Sequence, residues 1–144
     1  MNEFELYLQK IAELKNMGLE PHIYGKTVLN QPLYYFKLVK RVDYNKKPIK
    51  IFVQAGIHAR EHITTFLVFR LIEHYYVQVY RELSKINNVH NPFLKLNYEL
   101  YFVPSSNVDG LQLCAEGVDF IDEEICTAAK KNFDTRTFGD LSKC

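Results

Sequence analysis

Apolar residues recur at helical spacing from the start of the chain. Phe4, Tyr7, Leu8, Ile11 and Leu14 fall on one stripe, which predicts a helix over residues 2–17. Asn2 can cap it, Glu5 stands at the capping-box position, and Gly18 suits the stop. The period then shortens. Residues 20–25 and 33–39 predict two strands joined by the turn TVLNQP, and His22 in the first is read as a packing or hairpin residue rather than a ligand. The charged segment 40–48 predicts a solvated hairpin tip. Ile49, Ile51, Phe52 and Val53 follow between Pro48 and Gly56. A short β-branched apolar run of this kind predicts a central strand covered on both faces. From about Glu61 to Leu83 apolar residues cover more than one helical stripe, which predicts a mostly buried helix. Residues 87–92 form a polar loop. Residues 96–110 predict a strand, with Tyr98, Leu100 and Phe102 alternating against Glu99 and Tyr101, ended by Pro104 and a turn from Asn107 to Gly110.

The bulk composition narrows the classes. The chain has 144 residues, 47% of them hydrophobic, and a net charge of +1. That is one ordinary domain with enough apolar residues for a core. The even charge balance points away from nucleic acid, and no basic helix suggests a membrane surface. The acidic, amphipathic first residues do not resemble a secretory signal, and no apolar run could span a bilayer. Cys114, Cys126 and Cys144 are odd in number and widely spaced. They read as free thiols in a reducing compartment, with a Cys126–Cys144 bridge left open, so a cytoplasmic location is expected.

The candidate chemistry lies where the predicted strand ends. His58 and Glu61 are about one helical turn apart, so an imidazole and a carboxylate can point the same way. Such a pair at the C-terminal end of a strand suits a catalytic zinc, and that end of an open α/β sheet is where ligands bind. The bare H-x-x-E pattern is common, and a lone histidine after a strand is more often a structural hydrogen-bonder.

The flanking residues add to this. The run AGIHAREHIT closely resembles the zinc-binding segment of the M14 metallocarboxypeptidases, whose common form is G-I-H-A-R-E-x-I. The resemblance implies that His58 and Glu61 are two ligands of one zinc ion and that Arg60 lines the substrate groove. His62 stands where the family often has an aromatic residue and is not taken as a ligand. Asn107 to Gly110 resembles the family's N-P-D-G, with Val108 replacing proline, which makes Asn107 a substrate-side candidate. The segment Gly25–Pro32 loosely resembles G-x-S-x-x-G-R-P, with Thr27, Asn30 and Gln31 at the Ser, Gly and Arg positions. In the tail two alignments stay open. KKN resembles the R-K-N loop, with Lys130 for the arginine that stabilises the oxyanion. Alternatively NFDTRTFGD resembles the segment that closes the family's D-x-N-R-N motif. Lys130 and Lys131 would then face the substrate's terminal carboxylate, and Ala128 would replace an acid that orients the first zinc histidine.

The fold so implied is α/β, a three-layer α/β/α arrangement with a mixed sheet, zinc-carboxypeptidase-like and incomplete. Residues 1–144 correspond to the N-terminal part of such a domain. The implied activity is zinc-dependent removal of a C-terminal residue, with a peptide or protein C-terminus as partner. The family's third ligand, its general base and a substrate-side tyrosine lie further along than Cys144. The zinc site is therefore expected to be incomplete in this chain, with no confident catalytic residue. His62 or a second chain is the fallback source of a third donor. The alternative readings are an inactive peptide- or partner-binding remnant of the same fold and a plain α/β scaffold. Self-association through an exposed sheet edge is a further expectation.

Overall fold

The computed structural model describes residues 1–77 and 96–117. Helix α1 spans Glu3–Asn16 and strands β1, β2 and β3 span His22–Lys26, Pro32–Lys40 and Ile49–Gln54. Helix α2 spans His62–Tyr76, β4 spans Tyr98–Val103 and α3 spans Val108–Glu116.

Local chemistry sets both ends of α1. The Asn2 side chain accepts from the Glu5 amide at 2.8 Å, and the Glu5 carboxylate accepts from the Asn2 amide at 2.9 Å. This is the expected capping box. At the other end Gly18 adopts φ +95°. The Leu19 amide bonds the Leu14 carbonyl and the Gly18 amide bonds that of Lys15, a Schellman stop. Phe4, Tyr7, Ile11 and Leu14 are buried, while Leu8 is exposed. Burial pushes the Tyr7 phenol pKa well above its ordinary value. The Tyr76 hydroxyl donates to the Met17 carbonyl at 2.7 Å and ties α2 to the end of α1.

The four strands lie in the order β1-β2-β4-β3. β1 and β2 are antiparallel, β2 and β4 are antiparallel, and β3 and β4 are parallel. The register pairs Phe36 with Phe102, Leu38 with Leu100, and Val53 with Phe102. Phe36, Leu38, Leu100 and Phe102 thus share one face, and they join the helices' apolar side chains in one core. Among the described residues all three helices lie on that face. The mixed α/β class agrees with expectation; a second helical layer would fall outside the described residues. Tyr24, Tyr35, Tyr101 and Phe52, one from each strand, occupy the opposite face around a concavity of about 360 Å³.

Three expectations need correction. The strand at 49–54 is neither central nor buried among the described residues. β4 takes the inner place, and β3 stands at the edge with Phe52 64% exposed. The segment 41–48 is not a hairpin tip, because β2 and β3 flank β4 and do not pair with each other. It is gathered instead around the buried Asn97. That side chain accepts from the Val42 and Asp43 amides at 2.7 and 3.0 Å and donates to the Asp43 and Lys46 carbonyls. Finally, α2 buries one stripe, Thr65, Val68, Phe69 and Ile72, while Ile63 and Leu67 are exposed. Residues 78–83 of the expected helix and the polar loop with His90 lie outside the described residues. His22 stacks on Tyr35, as a packing residue should. No helix among the described residues is long and apolar enough to cross a membrane.

Candidate metal centre

Gly56 ends the β3 segment in a left-handed conformation, φ +61°. A Cβ there would lie 2.7 Å from Thr65 Oγ1 and 2.9 Å from Ser105 Cα, so only glycine lets the chain pass so close to the β4 loop. The two segments run on side by side. The Ala55 amide bonds the Val103 carbonyl, the Ser106 amide bonds Ala55, and the Asn107 amide bonds Gly56 at 2.9 Å.

His58, Ala59, Arg60 and Glu61 then form a turn, closed by the Glu61 amide on the His58 carbonyl at 3.2 Å. This corrects one detail. Glu61 is the N-cap residue of α2 and not part of its first turn, so a tight turn, rather than helical spacing, brackets the two residues. The Glu61 carboxylate makes no capping hydrogen bond. Thr64 serves that end of the helix: its amide and hydroxyl both donate to the Glu61 carbonyl, and its Oγ1 accepts from Gly56. His58, Arg60 and Glu61 are all exposed. Among the described residues neither the imidazole nor the carboxylate is committed to another side chain. The carboxylate also sits at the positive end of the α2 dipole.

The turn is braced from α3. Asn107 Oδ1 accepts from the Gly110 amide at 2.8 Å, and Asn107 Nδ2 donates to the Ile57 carbonyl at 3.3 Å. The N-x-D-G segment is therefore a helix start and not a free turn. A Cβ on Gly110 would lie 2.8 Å from Ala59 Cβ, so α3 rests directly on the 58–61 turn. The other polar side chains of α3 hold the β1–β2 turn. Asp109 Oδ2 accepts from the Leu29 amide at 3.1 Å, and Gln112 Oε1 accepts from Gln31 at 2.9 Å. In that turn Asn30 has φ +63°, the left-handed geometry a glycine would supply, and Thr27 Oγ1 accepts from the Gln31 amide. These braces were not visible in the sequence. Their one local signal was the pair of small residues, Ala59 and Gly110, whose contact spans 51 positions.

The donor set is an imidazole and a carboxylate, both accessible and uncommitted, which fits two of the protein ligands of a zinc ion. Among the described residues no group of three His, Cys, Asp or Glu side chains could hold a metal. His62 does not supply the third donor there. Its Nδ1 faces Glu3 of α1 at 3.8 Å. Lys130, Lys131 and Ala128 lie outside the described residues.

Comparison with solved structures places the fold. The structure of thrombin-activatable fibrinolysis inhibitor matches 76% of this chain at 24% identity, with a TM-score of 0.55. The bovine form of that protein, in complex with tick carboxypeptidase inhibitor, matches 81% at 21% identity, with a TM-score of 0.52. The chain spans 26% of the first and 34% of the second. No curated protein sequence matches. The profile of the zinc carboxypeptidases, peptidase M14, matches residues 4–138, nearly the whole of the sequence. With the H-x-x-E turn at the end of β3 and the carboxypeptidase fold around it, that match assigns the chain to the zinc carboxypeptidases of the M14 peptidase family.

Proposed function

We propose that residues 1–144 form the N-terminal part of a metallocarboxypeptidase domain and carry two ligands of its zinc, His58 and Glu61. One observation supports this most directly. Both side chains stand exposed and uncommitted on one braced turn, at the C-terminal end of the parallel β3–β4 pair. When bound, zinc lowers the pKa of a water molecule and polarises a peptide carbonyl. His58 would donate a neutral imidazole nitrogen and Glu61 a carboxylate oxygen. Arg60, between them, and Asn107, beside them, border the groove that takes a peptide C-terminus. Lys130 and Lys131 are assigned to the substrate's terminal carboxylate; lysine attracts it as a point charge, without the paired hydrogen bonds of arginine. Hydrolysis further needs a general base and a third ligand, and no three-donor group lies among the described residues. The chain on its own is therefore expected to bind zinc weakly and to release no C-terminal amino acid. The exposed free thiol of Cys114 fits a reducing, cytoplasmic setting.

A zinc titration followed by the histidine ring signals in NMR tests the assignment. His58 should shift, and both His58→Ala and Glu61→Ala should weaken binding by roughly tenfold or more, because affinity follows ligand count. Unchanged affinity in the double variant would remove the zinc reading. The second reading, an inactive peptide- or partner-binding remnant, is motivated by Lys130, Lys131 and Ala128 standing where the resemblance has other residues. It requires peptide affinity that survives a chelator. The exposed β3 edge suits pairing with a second copy; a concentration-independent monomer in sedimentation would exclude that.

A further inference from the structure

We propose that Asn107, besides bordering the groove, is a positioning residue for the metal-ligating turn, acting through the backbone before His58. The inference rests on the zinc reading above and deepens it. Asn107 touches two elements with one side chain. Its Oδ1 caps α3 through the Gly110 amide at 2.8 Å, and its Nδ2 reaches the Ile57 carbonyl at 3.3 Å. Its own amide holds the Gly56 carbonyl at 2.9 Å. Two consecutive carbonyls leading into His58 are thus fixed by one residue of another element.

The rest of α3 gives this contact something firm to pull against. Gly110 lies against Ala59 so closely that no Cβ would fit between them. On the other side, Asp109 and Gln112 hydrogen-bond the turn at Leu29 and Gln31. The helix is therefore tied at both flanks. The turn 58–61 has little else of its own. Apart from the Thr64 bonds at its end, its internal support is the single 3.2 Å bond from the Glu61 amide to the His58 carbonyl. Metal affinity depends on such outer support, because it removes orientations in which the two donors do not converge.

Capping and positioning use different atoms of Asn107, so they separate. Asn107→Ser keeps a neutral oxygen acceptor for the Gly110 amide but loses the reach to Ile57. Hydrogen exchange should show the amides of Gly110 and Leu111 protected as before and the melting temperature within about 2 °C of the parent, while exchange at the Glu61 amide speeds up about tenfold. Zinc affinity, titrated with zinc alone and read by NMR, should fall about tenfold, within the range typical of outer-shell residues. Parental Glu61 exchange and parental zinc affinity in Asn107→Ser would overturn the proposal. Should that variant not fold, Asn107→Asp replaces it. It is a strong cap that also lacks the donor, and its added charge would by itself favour the cation, so a fall in affinity counts doubly for the proposal and a rise against it. His58→Ala, run alongside, reports on the zinc reading. If it leaves zinc affinity unchanged, that reading fails, and the Glu61 exchange rate alone decides the role of Asn107.

Discussion

Gly56→Ala probes the passage from β3 into the 58–61 turn. Two costs combine at this position. The backbone sits at φ +61°, where an L-residue pays about 1–2 kcal/mol. The new methyl would also lie 2.7 Å from Thr65 Oγ1, 2.8 Å from Ser105 Oγ and 2.9 Å from Ser105 Cα. A hydroxyl can swing aside, but the Ser105 backbone is held by the bonds stitching 103–107 to 55–57. Overpacking of this kind costs about 1–3 kcal/mol. The sum is about 2–5 kcal/mol, or a fall in melting temperature of roughly 4–20 °C for a chain of this size. Gly25→Ala is the control. Its Cβ would meet only Leu33 Cδ1, at an ordinary 3.7 Å, with no positive φ. That change should stay within about 0.5 kcal/mol. Thr65→Ala in the Gly56→Ala background removes the shortest contact and leaves the backbone one, so it should restore stability only in part. Urea denaturation of the four proteins measures these differences. A Gly56→Ala protein less than about 1 kcal/mol below the parent would refute the claim that the passage is sterically closed to side chains.

Asn97→Ala should cost about 2–4 kcal/mol, because it strips a 6%-exposed residue of its bonds and leaves two amides and the Lys46 carbonyl of the 42–46 loop without this partner; chemical denaturation measures it, and a loss under 1 kcal/mol would mean the loop is held by other means. Asn30→Gly should be neutral within about 0.5 kcal/mol, whereas Asn30→Ala should lose about 1 kcal/mol at the same φ of +63°; equal melting temperatures would refute the turn geometry. Glu99 gives a pH test. The hydrogen bond from Tyr101, then the charges of Lys37, Lys50 and Arg41, hold its carboxyl pKa below the ordinary range. The unfolded chain therefore takes up the proton first as pH falls. The stabilisation is complete above about pH 5 and is lost as pH drops through the depressed folded value. Urea midpoints between about pH 6 and pH 3 should fall more steeply for the parent than for Glu99→Gln, and parallel curves would rule the coupling out.

What was legible in the sequence was mostly local. The capping box of Asn2 and Glu5 and the stop at Gly18 depend on neighbours within five positions, and both formed as expected. The His58–Glu61 segment stood out locally too, but it forms a tight turn with Glu61 as the N-cap and not the expected helical turn. What failed depended on partners far along the chain. An apolar run such as IKIFV states that it will be a strand but not who lies beside it, and β4, nearly fifty residues later, took the inner place. The excess of apolar residues in α2 suggested a mostly buried helix. Ile63 and Leu67 instead face away from the core made by the described residues. Asn97 was missed because nothing in its surroundings marks a polar residue whose bonds end over fifty positions earlier. In the site, the H-x-x-E segment stood out through its resemblance to a family segment, whereas the brace from Asn107 and Gly110 left no such mark.

The strand order β1-β2-β4-β3 also governs when this chain can fold. β1 and β2 emerge first and can pair with each other, but β2 and β3 have no hydrogen bonds to offer each other; joining them needs β4, which is made last of the four. Until residues 98–103 arrive, the nascent chain carries two strands with open flanks and an apolar α1 stripe with little sheet to lie on. Closing these distant pairings costs loop entropy before any contact is gained, which makes such topologies slow. Beyond the β1–β2 hairpin the sheet should therefore assemble late, and in ribosome-bound chains that end before about residue 98 the β3 segment should remain open to protease.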